Sequence, residues 1–381
     1  MILKARRLNE VKEYYFSKKL REVGHLIASG RPIISLGIGS PDLDPPKEVL
    51  EAITTSLDEP MAHAYKSYQG IPELRKAMAG FYKSHFGVEL NPTDEILPLM
   101  GSKEGIMHIS MAFLNEGDQV LIPNPGYPTY SSVTKLLGAK ALYYDLKATN
   151  GWFPDYASIE KNDLSKVKIM WINYPHMPTG TKSTDRLFKG LIAFAKKHQI
   201  LVVNDNPYSF ILNDVPKSIL QYKGAKEVAL ELNSLSKSFN MAGWRVGMVL
   251  GAQKYLSEIL KVKSNMDSGM FYGIQKGAIK ALEMSSDWFK DLDKVYTKRR
   301  LLIWKILDTL HCIYDREAVG MFVWAKLPEG MLSEQMTDKM LYEKDVFLAP
   351  GTVFGSNGEG YIRLSLCVEE SKLEEVLSRI K

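Results

Sequence analysis

The chain predicts an α/β protein built on a mostly parallel sheet flanked by helices, with a smaller α+β domain attached. Three observations carry that expectation. From Asp94 to Gly251 short apolar runs (EILPLM, QVLIP, KIMWIN, ILVVN, VALELNS) alternate with helical patterns, as parallel strands with crossover helices require. Beyond Gly251 the pattern changes to long helices near 253–264, 271–284 and 286–310, followed by strand-like runs. A chain of 381 residues with 45% hydrophobic and 24% charged residues can bury a sizeable core and divides more readily into two domains than one. The reading assigns residues 41–265 to the large domain, and 1–40 with 266–381 to the small one.

Composition narrows the function classes. Lys and Arg number 49 against 44 acidic residues, a net charge of +5 spread without long like-charge runs, so nucleic acid is not an expected partner. Cys312 and Cys367 have no metal-type spacing and read as reduced structural thiols. The first twenty residues lack the apolar centre of a signal peptide, and no run of eighteen apolar residues occurs, so a soluble cytoplasmic protein with no membrane partner is expected.

In chain order, residues 4–29 carry apolar positions at Leu8, Val11, Tyr15, Leu20, Val23 and Ile27, which predicts a helix stopped by Gly30-Arg31-Pro32. The strand PIISLGIG follows, with Gly37 and Gly39 leading into the turn Ser40-Pro41-Asp42. AHAYKSYQG is a tyrosine-rich loop, and Pro72 belongs to the first turn of the next helix. The strand EILPLM runs into Gly101-Ser102-Lys103-Glu104-Gly105 before the helix IMHISMAFL. A glycine-rich turn there offers free backbone N–H groups and the positive end of a helix dipole to an anion. After QVLIP, the prolines around Tyr127 in NPGYPTY hold its ring in a rigid, non-helical segment suited to stacking. The strand ILVVN ends at Asp205, a carboxylate that needs a cationic partner if buried. Arg363 stands among apolar neighbours in GYIRLSL and needs an anion in the same way. The helix ESKLEEVLSRI closes the pattern as a packing element.

NSLSKSFNMAGWRVG concentrates the chemistry. Ser234, Ser236 and Lys237 lie within four residues, and Arg245 follows eight residues after the lysine. A lysine beside a fixed cation can keep a neutral amine that condenses with a carbonyl, while the arginine and hydroxyls hold a phosphate. Phosphate and an imine-forming lysine together point to pyridoxal phosphate.

This stretch resembles the cofactor-lysine signature of the class I aminotransferases, which have the aspartate-aminotransferase fold, fold type I among pyridoxal-phosphate enzymes. Its wording, with GSKEG, is similar to the branch that includes diaminopimelate aminotransferases. The resemblance implies that Lys237 binds the cofactor covalently, that Arg245, Ser102 and Lys103 reach its phosphate, and that Tyr127 stacks on the ring. It further implies that Asp205 pairs with the pyridine nitrogen and that Tyr208 donates to the phenolic oxygen. Gly39 and Arg363 would meet the substrate α-carboxylate, with Tyr14 in the pocket wall. Tyr65 would cross a homodimer interface to the partner's cofactor phosphate. The segment Tyr174-Pro175-His176-Met177-Pro178-Thr179-Gly180 resembles the family's NxPxNPTG box but departs from it: Met177 replaces an asparagine donor, and a thioether cannot donate a hydrogen bond. The implied reaction is amino transfer between an α-amino acid and a 2-oxo acid. A carbon–sulfur β-lyase of the same fold and a catalytically silent cofactor-binding regulator stay open at this point.

Overall fold

The computed structural model describes residues 2–11 and 13–381. After a short strand β1 (Ile34–Ser35), seven strands form the main sheet: β2 (Ile96–Leu99), β3 (Gln119–Asn124), β4 (Lys140–Asp145), β5 (Val167–Ile172), β6 (Leu201–Asp205), β7 (Ala229–Ser234) and β8 (Gly247–Gly251). Their order is β2-β8-β7-β6-β5-β3-β4. All neighbours are parallel except β8, which runs against both β2 and β7.

Both faces of this sheet are covered, which is why its strands read as continuous apolar runs rather than alternating ones. The two-residue period still decides which face each side chain serves. Ile169, Trp171, Val203, Leu230 and Leu232 pack with Ile106, Ile109, Leu256 and Ile259 on one side. Met170, Ile172, Val202 and Ala229 pack with Leu74, Met78, Tyr82, Phe188 and Leu191 on the other.

The remaining strands are β9 (Ile313–Tyr314), β10 (Phe322–Lys326), β11 (Val346–Phe347), β12 (Ala349–Pro350) and β13 (Tyr361–Ser365). Four of them form an antiparallel sheet in the order β12-β13-β10-β9, and β1 pairs in parallel with β11. Phe16, Val23 and Leu36 from the start of the chain share a cluster with Ile303, Ile306, Leu364 and Leu373 from its last third.

Several elements differ from the sequence expectation. The first helix begins at Tyr15, and residues 6–9 form a separate 3-10 turn with nothing buried, so the apolar spacing before Tyr15 had no partner surface to fill. PIISLGIG keeps ladder pairing only at Ile34–Ser35. The helix expected from IMHISMAFL starts earlier, at Ser102, so the glycine-rich turn is its first turn, with Gly101 at the cap. The long helix Asp287–Thr309 contributes to both packing clusters. Ala278, Ala281, Leu282 and Phe289 pack with the main sheet's cluster, whereas Leu292 and Tyr296 pack with the other.

Candidate active site

The carboxyl ends of the parallel strands meet on one edge of the main sheet, where an open α/β sheet leaves room for a ligand. β6 ends at Asp205, β7 at Ser234, and β3 leads through Pro125 and Gly126 to Tyr127. Gly247 lies opposite Ser234 in one ladder and Leu99 in the other, which aligns the β2 turn with the β7 turn. A cavity of about 370 Å³ opens at this edge and is lined by Gly39, Tyr14, Ser102, Lys103, Tyr127, Asp205, Tyr208, Ser234, Ser236, Lys237, Arg245 and Arg363. Every candidate from the sequence is therefore gathered there except Tyr65. A larger cleft of about 890 Å³, lined by Tyr143, Asp155 and Thr184 among others, carries none of this chemistry.

Lys237 stands on a single helical turn whose cap is Ser234, the hydroxyl oxygen accepting from the Ser236 amide at 3.0 Å. Its Nζ donates to the Gly39 carbonyl at 2.5 Å. Burial lowers the pKa of this amine, and the positive charges of Arg363 and Arg245 lower it further. Asp205 is only 6% exposed. Its Oδ2 accepts from Tyr130 Oη at 2.9 Å, and Oδ1 has no hydrogen-bond partner. Burial pushes its pKa up to about 7, against the Tyr130 hydrogen bond, which pulls it down. Tyr130 is itself fixed by stacking on Trp171, ring centroids 4.9 Å apart.

On one flank the backbone and cations form an anion cradle. Gly101 has φ 92°, and a Cβ there would lie 2.1 Å from Arg245 Nη2, so only glycine admits the guanidinium. Arg245, with φ 58°, donates from Nη1 to the Ala242 carbonyl at 2.9 Å and lies 3.5 Å from Ser236 Oγ. Ser102 and Lys103 open the twelve-residue helix Ser102–Phe113, and Lys103 Nζ lies 4.5 Å above the Tyr14 ring. Burial, with Arg245 nearby, lowers the Lys103 pKa.

On the other flank Arg363 projects from β13 and is buried. Nη2 donates to the Gly37 carbonyl at 2.7 Å, Nη1 lies 3.3 Å from Met177 Sδ, and Nε has no partner. The Phe322, Phe354 and Phe16 ring centroids lie 3.9, 4.7 and 5.5 Å from its central carbon. Burial lowers its pKa to about 10. Among the described residues no carboxylate pairs with it, which leaves the anion it calls for to come from a ligand. Gly39 is needed here because a Cβ would fall 2.1 Å from the Phe322 ring. What its backbone meets within the chain is thus Phe322 and the lysine amine. Tyr14, Tyr127 and Tyr208 are all held neutral by burial, which raises their pKa values.

Two asparagines lie near the Met177 position, each with one of its two amide hydrogens committed within the chain. Asn173 spends its amide on the Asp205 carbonyl and its oxygen on the Met177 N–H, and Asn206 donates to the Lys217 carbonyl. Tyr65 is 89% exposed and outside the cavity. Sequence reasoning missed Tyr130, Asn173 and the three rings around Arg363. Tyr130 had a local signal, three residues after Tyr127 on a helix with proline at its start; the rings come from three distant segments and had none.

A buried lysine amine and a buried carboxylate with a free oxygen line one cavity, with basic groups at a helix start on one flank and a solitary arginine on the other, an arrangement that fits an α/β transferase of amino compounds. Residues 31–380 match the model of the family described as aminotransferase class I and II, and the chain belongs to that family. It is 41% identical over 378 residues to the LL-diaminopimelate aminotransferase of Dehalococcoides mccartyi strain 195, covering 99% of this chain and 97% of that one. It is 39% identical over 377 residues to the enzyme of the same name from Aquifex aeolicus, with 98% and 97% covered. The substrate-bound BacF structure from Bacillus subtilis superposes with a TM-score of 0.96 at 32% identity, over 100% of this chain and 97% of that one. A Thermus thermophilus aspartate aminotransferase mutant follows at a TM-score of 0.92 and 25% identity, over 100% of this chain and 99% of that one. The chain is an aminotransferase, of a family that acts on amino acids and 2-oxo acids; the lyase and silent-regulator readings find no support in these relatives. Among the described residues no helix is long and apolar enough to cross a membrane.

Proposed function

We propose that this aminotransferase works with pyridoxal 5'-phosphate held at the sheet edge by Lys237, and that the residues gathered in the cavity divide the work of amino transfer between an α-amino acid and a 2-oxo acid. The observation that carries the reading is Asp205: a buried carboxylate with one oxygen unpartnered fits the N–H of a protonated pyridine ring. When bound, the cofactor supplies the electron sink that makes the substrate's α-proton labile.

The chain's own groups do the rest. Ser102, Lys103, Ser234, Ser236 and Arg245 fit the phosphate, with Gly101 giving the guanidinium its approach. Tyr127 would cover one face of the ring, and Tyr208 would donate to its phenolic oxygen. Arg363 takes the α-carboxylate, with Gly39 and Tyr14 beside it. The Lys237 amine, its pKa lowered by burial and by two nearby guanidinium groups, would accept the α-proton and return it one atom further along. Borohydride treatment of the yellow holoprotein followed by peptide mapping tests this assignment. The label should sit on Lys237, and label on another lysine would overturn it.

The assembly is read as a homodimer. Tyr65 stands at an exposed face with Met61, Tyr68, Met266 and Phe271, apolar surface of the kind a second copy covers. From there it would reach the partner's phosphate, as the family resemblance implies. Two buried free thiols agree with a reducing, cytoplasmic location.

A further inference from the structure

A second carboxylate is buried in the main sheet, outside the cavity. Glu231 lies in β7 directly opposite Asn204 in β6; both are fully buried, and neither lines the cavity. The hydrogen bonds that meet on it have one consistent direction. The Ser234 N–H donates to Asn233 Oδ1 at 2.7 Å, which leaves the Asn233 amide nitrogen to donate to Tyr82 Oη at 2.9 Å. The Tyr82 hydroxyl gives its own hydrogen to Glu231 Oε1 at 2.8 Å. On the other branch the Tyr174 N–H donates to Asn204 Oδ1 at 3.1 Å, which turns the Asn204 amide nitrogen to Glu231 Oε2, also at 3.1 Å. The Ile219 N–H brings Oε2 a second donor at 3.0 Å. An acceptor with no hydrogen of its own closes both branches, and an ionised carboxylate is one. Burial raises the Glu231 pKa, and the hydrogen bonds from Tyr82, Asn204 and Ile219 act against the rise.

The branches end at the site. Ser234 caps the turn that carries Lys237, Asn204 precedes Asp205, and Tyr174 opens the segment that leads to Met177. The ladder between β5 and β6 stops at Ile172 and Asn204, and that between β6 and β7 at Asp205 and Leu232, so Tyr174 and Ser234 lie past the paired positions. We infer that Glu231 is a positioning residue for amino transfer: it ties together the strand ends that deliver Asp205, Lys237 and Met177, and so sets the place of the lysine amine relative to the carboxylate. This rests on the roles proposed above for Lys237 and Asp205.

Glu231→Gln keeps the shape but puts a hydrogen-bearing nitrogen where an acceptor stood. Facing Asn204 and Ile219, that nitrogen meets two N–H donors; facing Tyr82, it makes the hydroxyl accept twice and leaves the hydroxyl's hydrogen without its partner. Tyr82→Phe cuts the Asn233 branch alone and leaves the carboxylate its other two donors. Reductive methylation of the cofactor-stripped full chain with formaldehyde and cyanoborohydride, followed across pH by peptide mapping, reads the titration of the Lys237 amine, with the exposed Lys47 as the reference for the reagent. Burial is the largest cause of the lowered Lys237 pKa, and a turn released from Asn233 is less closely held. Both variants should raise the Lys237 midpoint by about half a pH unit or more and weaken pyridoxal phosphate binding by about tenfold or more. A lowered melting temperature with the wild-type midpoint and wild-type cofactor affinity makes Glu231 a packing residue and overturns the inference. If Glu231→Gln does not fold, Tyr82→Phe decides by the same two readings. Wild-type holoprotein in which borohydride marks a lysine other than Lys237 overturns the cofactor reading beneath the inference.

Discussion

Replacing Asp205 by asparagine separates the cost of its carboxylate from its use. Burial raises its pKa from 3.8 to about 7, which corresponds to about 4 kcal/mol between the charged and neutral carboxyl, and relaxation around the charge brings the expected effect to about 2–4 kcal/mol. The folded chain holds this proton more tightly than the unfolded chain does. The cofactor-stripped protein is therefore free of the cost below the unfolded value of 3.8, loses stability as pH rises through the window up to about 7, and loses no more above it. Asp205→Asn has no proton to lose, so its stability lacks this slope. Urea unfolding of both stripped proteins, at one protein concentration from about pH 5 to about pH 8.5, should show the variant to be the more stable at the alkaline end by about 2–4 kcal/mol. Adding pyridoxal phosphate should reverse the order, because the wild-type carboxylate then gains the cation it lacks, and the variant should bind the cofactor about tenfold or more weakly. Parallel pH curves for the stripped proteins would refute the isolated-carboxylate account. Equal cofactor affinity would refute the pairing of Oδ1 with the ring.

Three further outcomes are expected. Mixing Tyr65→Phe subunits with inactive Lys237→Ala subunits should yield heterodimers with one intact site and recovered activity; activity that stays low would place Tyr65 in its own subunit's site. Met177→Asn adds an amide donor at a position where the thioether supplies none. The pH midpoint of the holoprotein's visible absorbance should then fall by about one to two units, the size of one charge-assisted hydrogen bond; coinciding midpoints would mean that another group already donates. Gly39→Ala puts a methyl 2.1 Å from the Phe322 ring and shifts the carbonyl that Lys237 contacts. It should lower thermal stability by about 1–3 kcal/mol and slow turnover, and an unchanged melting temperature with full activity would contradict the close packing described.

The main sheet was legible because its strands are buried on both faces and so appear as uninterrupted apolar runs separated by helices. The helices past Gly251 were legible for the matching reason: Gln253–Lys263, Tyr272–Leu282, Asp287–Thr309 and Glu370–Ile380 carry their buried residues at helical spacing. The first helix was misread because a periodic pattern records apolar positions and not whether a surface lies opposite them. Leu8 fits the period yet stays 44% exposed in a turn with no buried residue. The strand β4 escaped notice because it lies at the sheet edge with a mostly exposed or half-exposed pattern, and its short run ALYY is closed by Lys140 and Asp145. In the site, residues at strand ends were found because each has a local reason for its type, such as a carboxylate closing an apolar strand. The rings around Arg363 were not, since Phe16, Phe322 and Phe354 are brought together only by tertiary packing.

The pairing of Ile34 with Val346 and the bond from Arg363 to the Gly37 carbonyl also set an order of assembly. The sheet edge from Gly101 to Gly247 draws on the middle of the chain, and its core is completed by Ala278, Ala281, Leu282 and Phe289. The substrate clamp comes later, because Tyr14, Phe16 and Gly39 wait for Phe322, Phe354 and Arg363, synthesised last. A nascent chain is therefore expected to finish the main sheet's edge before the wall around Arg363, which closes only with the last-made residues.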